Sequence, residues 1–307
     1  MNNYSDIIKS HQGQPAVIVG GSKGIERFPF RDFGGIIISM GDVPLRANNI
    51  FKTDYWVFAN AHWIRPWLSR DADAINYINP KMVFVATTAF AFQPVELIKS
   101  QLKESFKNIK TNLFYYDQRH FNGAPCAHGY AGCCRAYKLL GIEHTIQEVT
   151  KDLFNAEDLY SAGSTVAIHA LSIAVLMGCS PIYIIGVDIP LLQKDYTYFN
   201  CAEGDVLIEK FGSMGPFDDA ITKINLRSSL KKCLPKSFVK VCKSLISGQQ
   251  QTDFKIPFET IKSDFSYLGK LVNLKHGANK IFNLNPNSAL VDLDYIDTLN
   301  IEDVILR

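Results

Sequence analysis

The clearest pattern along the chain is a set of short, unbroken apolar runs that each stop at glycine or a polar residue. Ala16-Val-Ile-Val19 is the first, and it ends in Gly20-Gly21-Ser22-Lys23-Gly24. A continuous β-branched run of this length predicts a strand buried on both faces, as in a parallel sheet. Similar runs predict strands at 35–39, 55–59, 82–86 and 112–116, with a helix over 94–108. The most informative stretch is 161–190. Ser164 or Thr165 can cap a helix start. Val166, Ala167, Ala170, Leu171, Ile173, Ala174 and Met177 then recur at helical spacing, and Gly178 closes the helix. Pro181-Ile-Tyr-Ile-Ile185 follows as a buried strand that stops at Gly186-Val187-Asp188.

A helix feeding directly into an apolar strand is one αβ unit of a doubly wound sheet. The expected fold is therefore α/β and Rossmann-like: a mainly parallel sheet with helices on both faces. From about residue 191 the periodicity shortens, and Ser247-Gly-Gln-Gln-Gln-Thr252 is a polar run. This divides the chain into a nucleotide-binding α/β domain over 1–190 and 258–307 and an insertion, or lid, over 191–257. Order returns with an expected helix over 258–274 and a last strand over 280–284, followed by Asn285-Pro-Asn-Ser288.

Composition narrows the function classes. Of the 307 residues, 47% are hydrophobic and 20% charged, an ordinary globular balance with ample core material. A formal net charge of +2 gives no electrostatic case for nucleic-acid binding. Met1 to Lys9 is polar and reads as neither an export signal nor a targeting helix, and no apolar run approaches the roughly 18 residues of a membrane span. The expected compartment is the cytoplasm, with the seven cysteines reduced. Cys126, His128, Cys133 and Cys134 crowd nine residues, but the spacing is not that of paired CxxC ligands. They read as a glycine-rich loop with incidental thiols, and neither a metal nor a cofactor is expected.

In an open parallel sheet the ligand crevice lies beyond the carboxyl ends of the strands. The residues just past each predicted strand are Gly20, Gly21 and Ser22; Arg46 and Asn48; Asn60 and His62; Thr87 and Thr88; Asp188; and Asn285. Neutral amides and hydroxyls dominate, which suits a ligand rich in hydroxyls and ring nitrogens with one phosphate. Each has a plainer reading. The glycine loop lacks both GxGxxG and the P-loop pattern. Asn48 and Asn60 can satisfy their own turns, Asp188 can cap the next segment, and His169 sits among core-facing residues.

These segments resemble the CMP-sialic acid-dependent sialyltransferases of bacterial lipooligosaccharide synthesis. More widely they resemble a superfamily with the motility accessory factor glycosyltransferases and hydroxymethylpterin diphosphokinase-like proteins. The resemblance rests on Ala16-Val-Ile-Val-Gly-Gly-Ser22, Arg46-Ala-Asn48, Val57-Phe-Ala-Asn60, Gly163-Ser-Thr165 with Leu176-Met-Gly178, Ile182-Tyr-Ile-Ile-Gly-Val-Asp188 and Lys280–Ser288. It implies transfer of a sugar from a CMP-linked donor to a glycan acceptor in surface polysaccharide or glycoprotein synthesis. It leaves room for peripheral membrane association and for a homo-oligomer. By the same resemblance Asn48 and Asn60 meet the nucleotide, Gly20 and Gly21 let the backbone approach it, and Gly163, Ser164 and Thr165 meet the donor sugar. Tyr196, eight residues after Asp188, falls where the family keeps a tyrosine on the leaving phosphate, with Tyr198 the near alternative. The departures are specific. The family's Gly-Asn-Gly-Pro-Ser loop is Gly20-Gly-Ser-Lys-Gly24, a second tyrosine is replaced by Pro190, and no histidine occurs between His169 and His276. Asp218 or Asp219 holds the place of the catalytic histidine by position alone. A magnesium-dependent diphosphokinase, with Asp188 as the metal acid, and a non-catalytic binding protein are the alternatives.

Overall fold

In the computed structural model the residues described are 7–58, 69–86, 107–119, 160–162, 165–187, 206–207, 209–210, 262, 265–266, 268–270, 272–273, 280–288, 290–291 and 293–304. Nine strands form one sheet: β1 (Ala16–Val19), β2 (Ile36–Met40), β3 (Tyr55–Phe58), β4 (Met82–Ala86), β5 (Asn112–Arg119), β6 (Tyr160–Ala162), β7 (Ile182–Ile185), β8 (Ile281–Asn283) and β9 (Asp297–Thr298). Their order is β6-β5-β4-β3-β2-β1-β7-β8-β9, and each pairing is parallel. The fold is the expected α/β, Rossmann-like one. The central strands β1, β2, β3 and β7 are buried on both faces, which is why they read as unbroken apolar runs.

Alternation along each strand sorts the core into two layers. Ile18, Ile38, Val57, Phe84, Ile184 and Ile281 face one side, beneath a helix at 166–176. Val17, Val19, Ile37, Tyr183 and Phe282 face the other, against Ile25, Phe28, Phe30, Val43 and Phe51. Among the described residues the α-helices with both ends in view are α1 (Val43–Arg46), α2 (Ser69–Ile78) and α3 (Val166–Leu176). α3 lies on the first face, against β1, β2, β3 and β6. On the second face Ala74 and Ile75 of α2 pack on Trp56 and Val83. Every residue of α3 from Ala167 to Leu176 is buried, so its apolar face is the whole circumference rather than a stripe. Phe265, Leu268, Val272 and Leu290 belong to the same buried cluster as α3.

Several boundaries move. β2 runs one residue later than expected, β5 extends to Arg119, β8 is shorter, and α2, β6 and β9 are additions. The described residues between 262 and 273 are helical, within the expected 258–274. The expected helix over 94–108 falls almost wholly outside the described residues, as do Cys126, His128, Cys133 and Cys134. Leu207, which the sequence reading puts in the insertion, is buried against Trp56, Phe58 and Ile75. No helix among the described residues is long and apolar enough to cross a membrane.

The amino edge of the sheet is tied down by an arm preceding β1. Backbone N–H groups of Lys9, His11 and Gly13 donate to the carbonyls of Leu176, Met177 and Gly178 (2.9, 2.8 and 2.9 Å). They satisfy carbonyls that the C-terminus of α3 would otherwise leave open. His11 Nε2 lies 2.6 Å from Tyr55 Oη, and its Nδ1 lies 2.8 Å from Gln14 Oε1. Burial, then the nearby Asp54 carboxylate, pushes the Tyr55 phenol up to about 12, and burial likewise lifts the Cys179 thiol to about 12. Both groups fold in their neutral forms. Their contribution to stability is complete below the unfolded values near 9 and 10 and is lost as pH rises toward 12. Urea midpoints should hold from pH 8 to about 9 and fall between about 9 and 11, and the fall should be shallower in Tyr55→Phe than in the wild type.

Candidate functional site

The strand order locates the site before any side chain is considered. The chain proceeds outward from β1 through β2 to β6, then returns to place β7 on the other side of β1 and continues to β8. The crossovers from β1 and from β7 therefore leave in opposite directions. In a doubly wound sheet, the crevice beyond the carboxyl ends of two such strands is where a ligand enters. Here that position falls at the loop after β1 and at Gly186 and Val187, the first residues after β7.

Both loops are built by close backbone approach. Gly20 N–H donates to Ile185 O (2.8 Å) and Ser22 N–H to Gly186 O (3.1 Å), so the β1–β7 pairing continues past the strand ends. A Cβ on Gly20 would run into the carbonyl oxygen of Gly186 and lie 2.9 Å from Val187 Cγ2. Gly186 has φ +68°, and a Cβ there would stand 2.5 Å from Gly20 O and from Ile25 Cγ2. The glycine at position 20 thus has a structural reason of its own, in addition to the ligand approach expected from the sequence. Ser22 follows at 2% exposure, and its Oγ is buried with no hydrogen-bond partner among the described residues.

Thr165 heads α3 at the same edge, since a helix after a parallel strand starts at the carboxyl end. Its backbone is extended (φ −134°, ψ 156°), and its carbonyl accepts the N–H groups of Ile168 and His169 (3.1 and 3.3 Å). The side chain does not cap the helix, and Oγ1 is buried without a partner among the described residues. A hydroxyl at this position ordinarily accepts a first-turn N–H. Left unspent, it offers a donor where the helix dipole favours an anion. Buried polar groups without partners are uncommon enough that each calls for a cause. Two further unpartnered hydroxyls, Thr111 Oγ1 and Ser172 Oγ, lie elsewhere: just before β5 at the amino edge, and midway along α3.

Asn48 is half-buried on the crossover just past α1. Arg46 beside it pairs with Asp42 one turn earlier (3.3 Å), a helical i, i+4 contact legible from the spacing. Trp56 Nε1–H donates to Gly41 O (2.8 Å), which fixes the loop after β2 from the neighbouring strand. On the far side of β7, Ser288 Oγ–H donates to Val187 O (3.4 Å), tying the loop after β8 to the same rim. Asn283 and Asn285 organise that loop: Asn283 Nδ2–H donates to Asn285 O (2.8 Å) and Asn287 N–H to Asn285 Oδ1 (2.9 Å). His169 is fully buried in α3, as its place among core residues implies.

Of the residues singled out from the sequence, Gly20, Gly21, Ser22, Arg46, Asn48, Thr165, His169 and Asn285 belong to the described structure. The first three and Thr165 stand at the carboxyl edge. Asn60, Gly163, Ser164, Asp188, Tyr196, Tyr198, Asp218 and Asp219 lie outside the described residues. In the sequence Gly186 reads only as a strand terminus, although Gly20 and Gly186 each closing an apolar run is the signal that pairs them.

No family model matches the chain, and no curated protein matches it either. Among solved structures it is similar to the sialyltransferase CstII from Campylobacter jejuni in complex with a substrate analogue, cytidine-5'-monophosphate. The TM-score is 0.44 and the identity 11%, with 94% of this chain and 86% of that chain covered.

Proposed function

We propose that this chain is a glycosyltransferase of the sialyltransferase-like type, which moves a sugar from a CMP-linked donor, CMP-sialic acid or a relative, to a glycan acceptor. The observation that carries the reading is the pair of buried, unpartnered hydroxyls, Ser22 Oγ and Thr165 Oγ1, at the carboxyl edge of a doubly wound sheet. Hydroxyls and backbone amides there suit a neutral nucleoside and one phosphate better than a metal-chelated polyphosphate. The sequence resemblance of the same segments to sialyltransferases points the same way.

The reaction breaks the bond from the anomeric carbon to the phosphate oxygen and forms one to the acceptor oxygen, through an oxocarbenium-like transition state. Two tasks fall to the protein. Negative charge on the departing phosphate is met by hydroxyls and amides, with Tyr196 or Tyr198 as further donors. The acceptor proton passes to a carboxylate, Asp188 or Asp218. A monophosphate leaving group requires less neutralisation than a diphosphate, so turnover is expected without a divalent metal. Incubated with CMP-sialic acid and a panel of glycan acceptors in excess EDTA, the protein should release CMP at the rate seen with magnesium. Complete dependence on magnesium would move the reading to the diphosphokinase type. CMP binding without turnover of any donor would favour a binding protein, which the altered glycine loop and the absence of a histidine between His169 and His276 allow.

A further inference from the structure

We propose that Lys23 supplies the positive charge that meets the nucleotide's phosphate, and so makes this loop a reader of phosphate rather than only of nucleoside. The inference rests on the nucleotide reading above and goes beyond it in naming a residue for which the sialyltransferase-like loop pattern has no counterpart.

The backbone puts Lys23 at the crest of the crevice. Gly20 and Ser22 remain hydrogen-bonded to the exit of β7, so Lys23 is the first residue released from that pairing. Immediately after it Gly24, at φ +102°, turns the chain into a short 3-10 turn over Ile25–Arg27. The anchors on either side are firm, with Ser22 2% and Ile25 1% exposed. Lys23 itself is exposed, so its backbone is held while its four-carbon stem is free. Its nearest acid in sequence is already engaged: the Glu26 carboxylate accepts the Gly24 N–H at 2.9 Å. Among the described residues the Lys23 ammonium has no ion pair or hydrogen bond. Directly beside it, the Ser22 hydroxyl is enclosed and unpartnered. An unneutralised cation next to a buried donor, at the point where ligands enter such sheets, fits a phosphate monoester. A flexible ammonium can also follow that phosphate as it departs. Charge-assisted contacts of this kind are the stronger class of hydrogen bond.

The test is calorimetric titration of wild type, Lys23→Gln and Lys23→Arg with cytidine and with CMP, at two salt concentrations. The substitutions are at an exposed position and leave the fold intact. Lys23→Gln should weaken CMP about tenfold or more, leave cytidine unchanged and reduce the salt dependence of CMP binding, while Lys23→Arg retains most of the affinity. If Lys23→Gln binds CMP as wild type does, or loses cytidine and CMP equally, the lysine has no phosphate role and the nucleotide reading stands without it. If wild-type protein binds neither ligand, the nucleotide reading itself falls and the lysine proposal with it.

Discussion

Replacing Gly186 with alanine is expected to cost about 2–5 kcal/mol of folding stability, one of the largest single-residue effects in the chain. Two penalties coincide at this position. The backbone is left-handed at φ +68°, which L-residues rarely adopt. The added methyl would also meet Gly20 O and Ile25 Cγ2 at 2.5 Å, where neither neighbour can yield. Gly20 O belongs to backbone that is itself hydrogen-bonded across to β7, and Ile25 is buried in the second core layer. Gly20→Ala should do similar damage, because its methyl would strike the Gly186 carbonyl. The control is Gly34→Ala, where a Cβ meets nothing within 4 Å and φ is unremarkable. That change should be neutral or slightly stabilising. Urea denaturation of the three variants distinguishes the account. Equal midpoints for Gly34→Ala and Gly186→Ala would show that the two loops are not pressed together as described.

The second expected result separates binding from stability. Ser22→Ala and Thr165→Ala should leave the protein as stable as wild type or up to about 1 kcal/mol more stable, because each hydroxyl is buried without a partner. Each should nonetheless weaken CMP binding about tenfold, and the double variant by about a hundredfold, as expected for two contacts to a charged ligand. Ser172→Ala is the internal comparison. Its hydroxyl is also buried and unpartnered, but it lies seven residues beyond Thr165, about 10 Å down the axis of α3. It should gain stability and leave CMP affinity unchanged. Loss of CMP affinity in all three would mean that the effect is transmitted through α3 rather than made at the carboxyl edge.

What the sequence makes legible follows physical lines. Strands β1, β3 and β7 are readable because central parallel strands are buried on both faces and need no alternation. α3 is readable from its spacing and from Gly178, although its helical pattern does not reveal that its outer side is also covered. β6 and β9 are short edge strands of three and two residues, too brief for any periodic signal. α2 is hard to read because its mean hydropathy is low and its described buried residues, Ala72, Ala74 and Ile75, include two alanines that carry little apolar signal. At the site, the glycines and hydroxyls were legible as types recurring after strands. The pairing of Gly20 with Gly186 was not, because it depends on β7 returning to lie beside β1 across some 160 residues of chain. Nor can sequence tell a hydroxyl that caps its own helix from one that does not. Thr165 was read as either a cap or a sugar contact, and the geometry removes the first role.

On this reading the nucleotide sits at the carboxyl edge of the sheet, beside the joined loops after β1 and β7 and the head of α3. A crystal structure of the protein grown with CMP tests it most directly. Density for the phosphate is expected within hydrogen-bond distance of Ser22 Oγ and of the first turn of α3. Density for CMP at any other place, or an ordered crevice that stays free of nucleotide at saturating CMP, would contradict it.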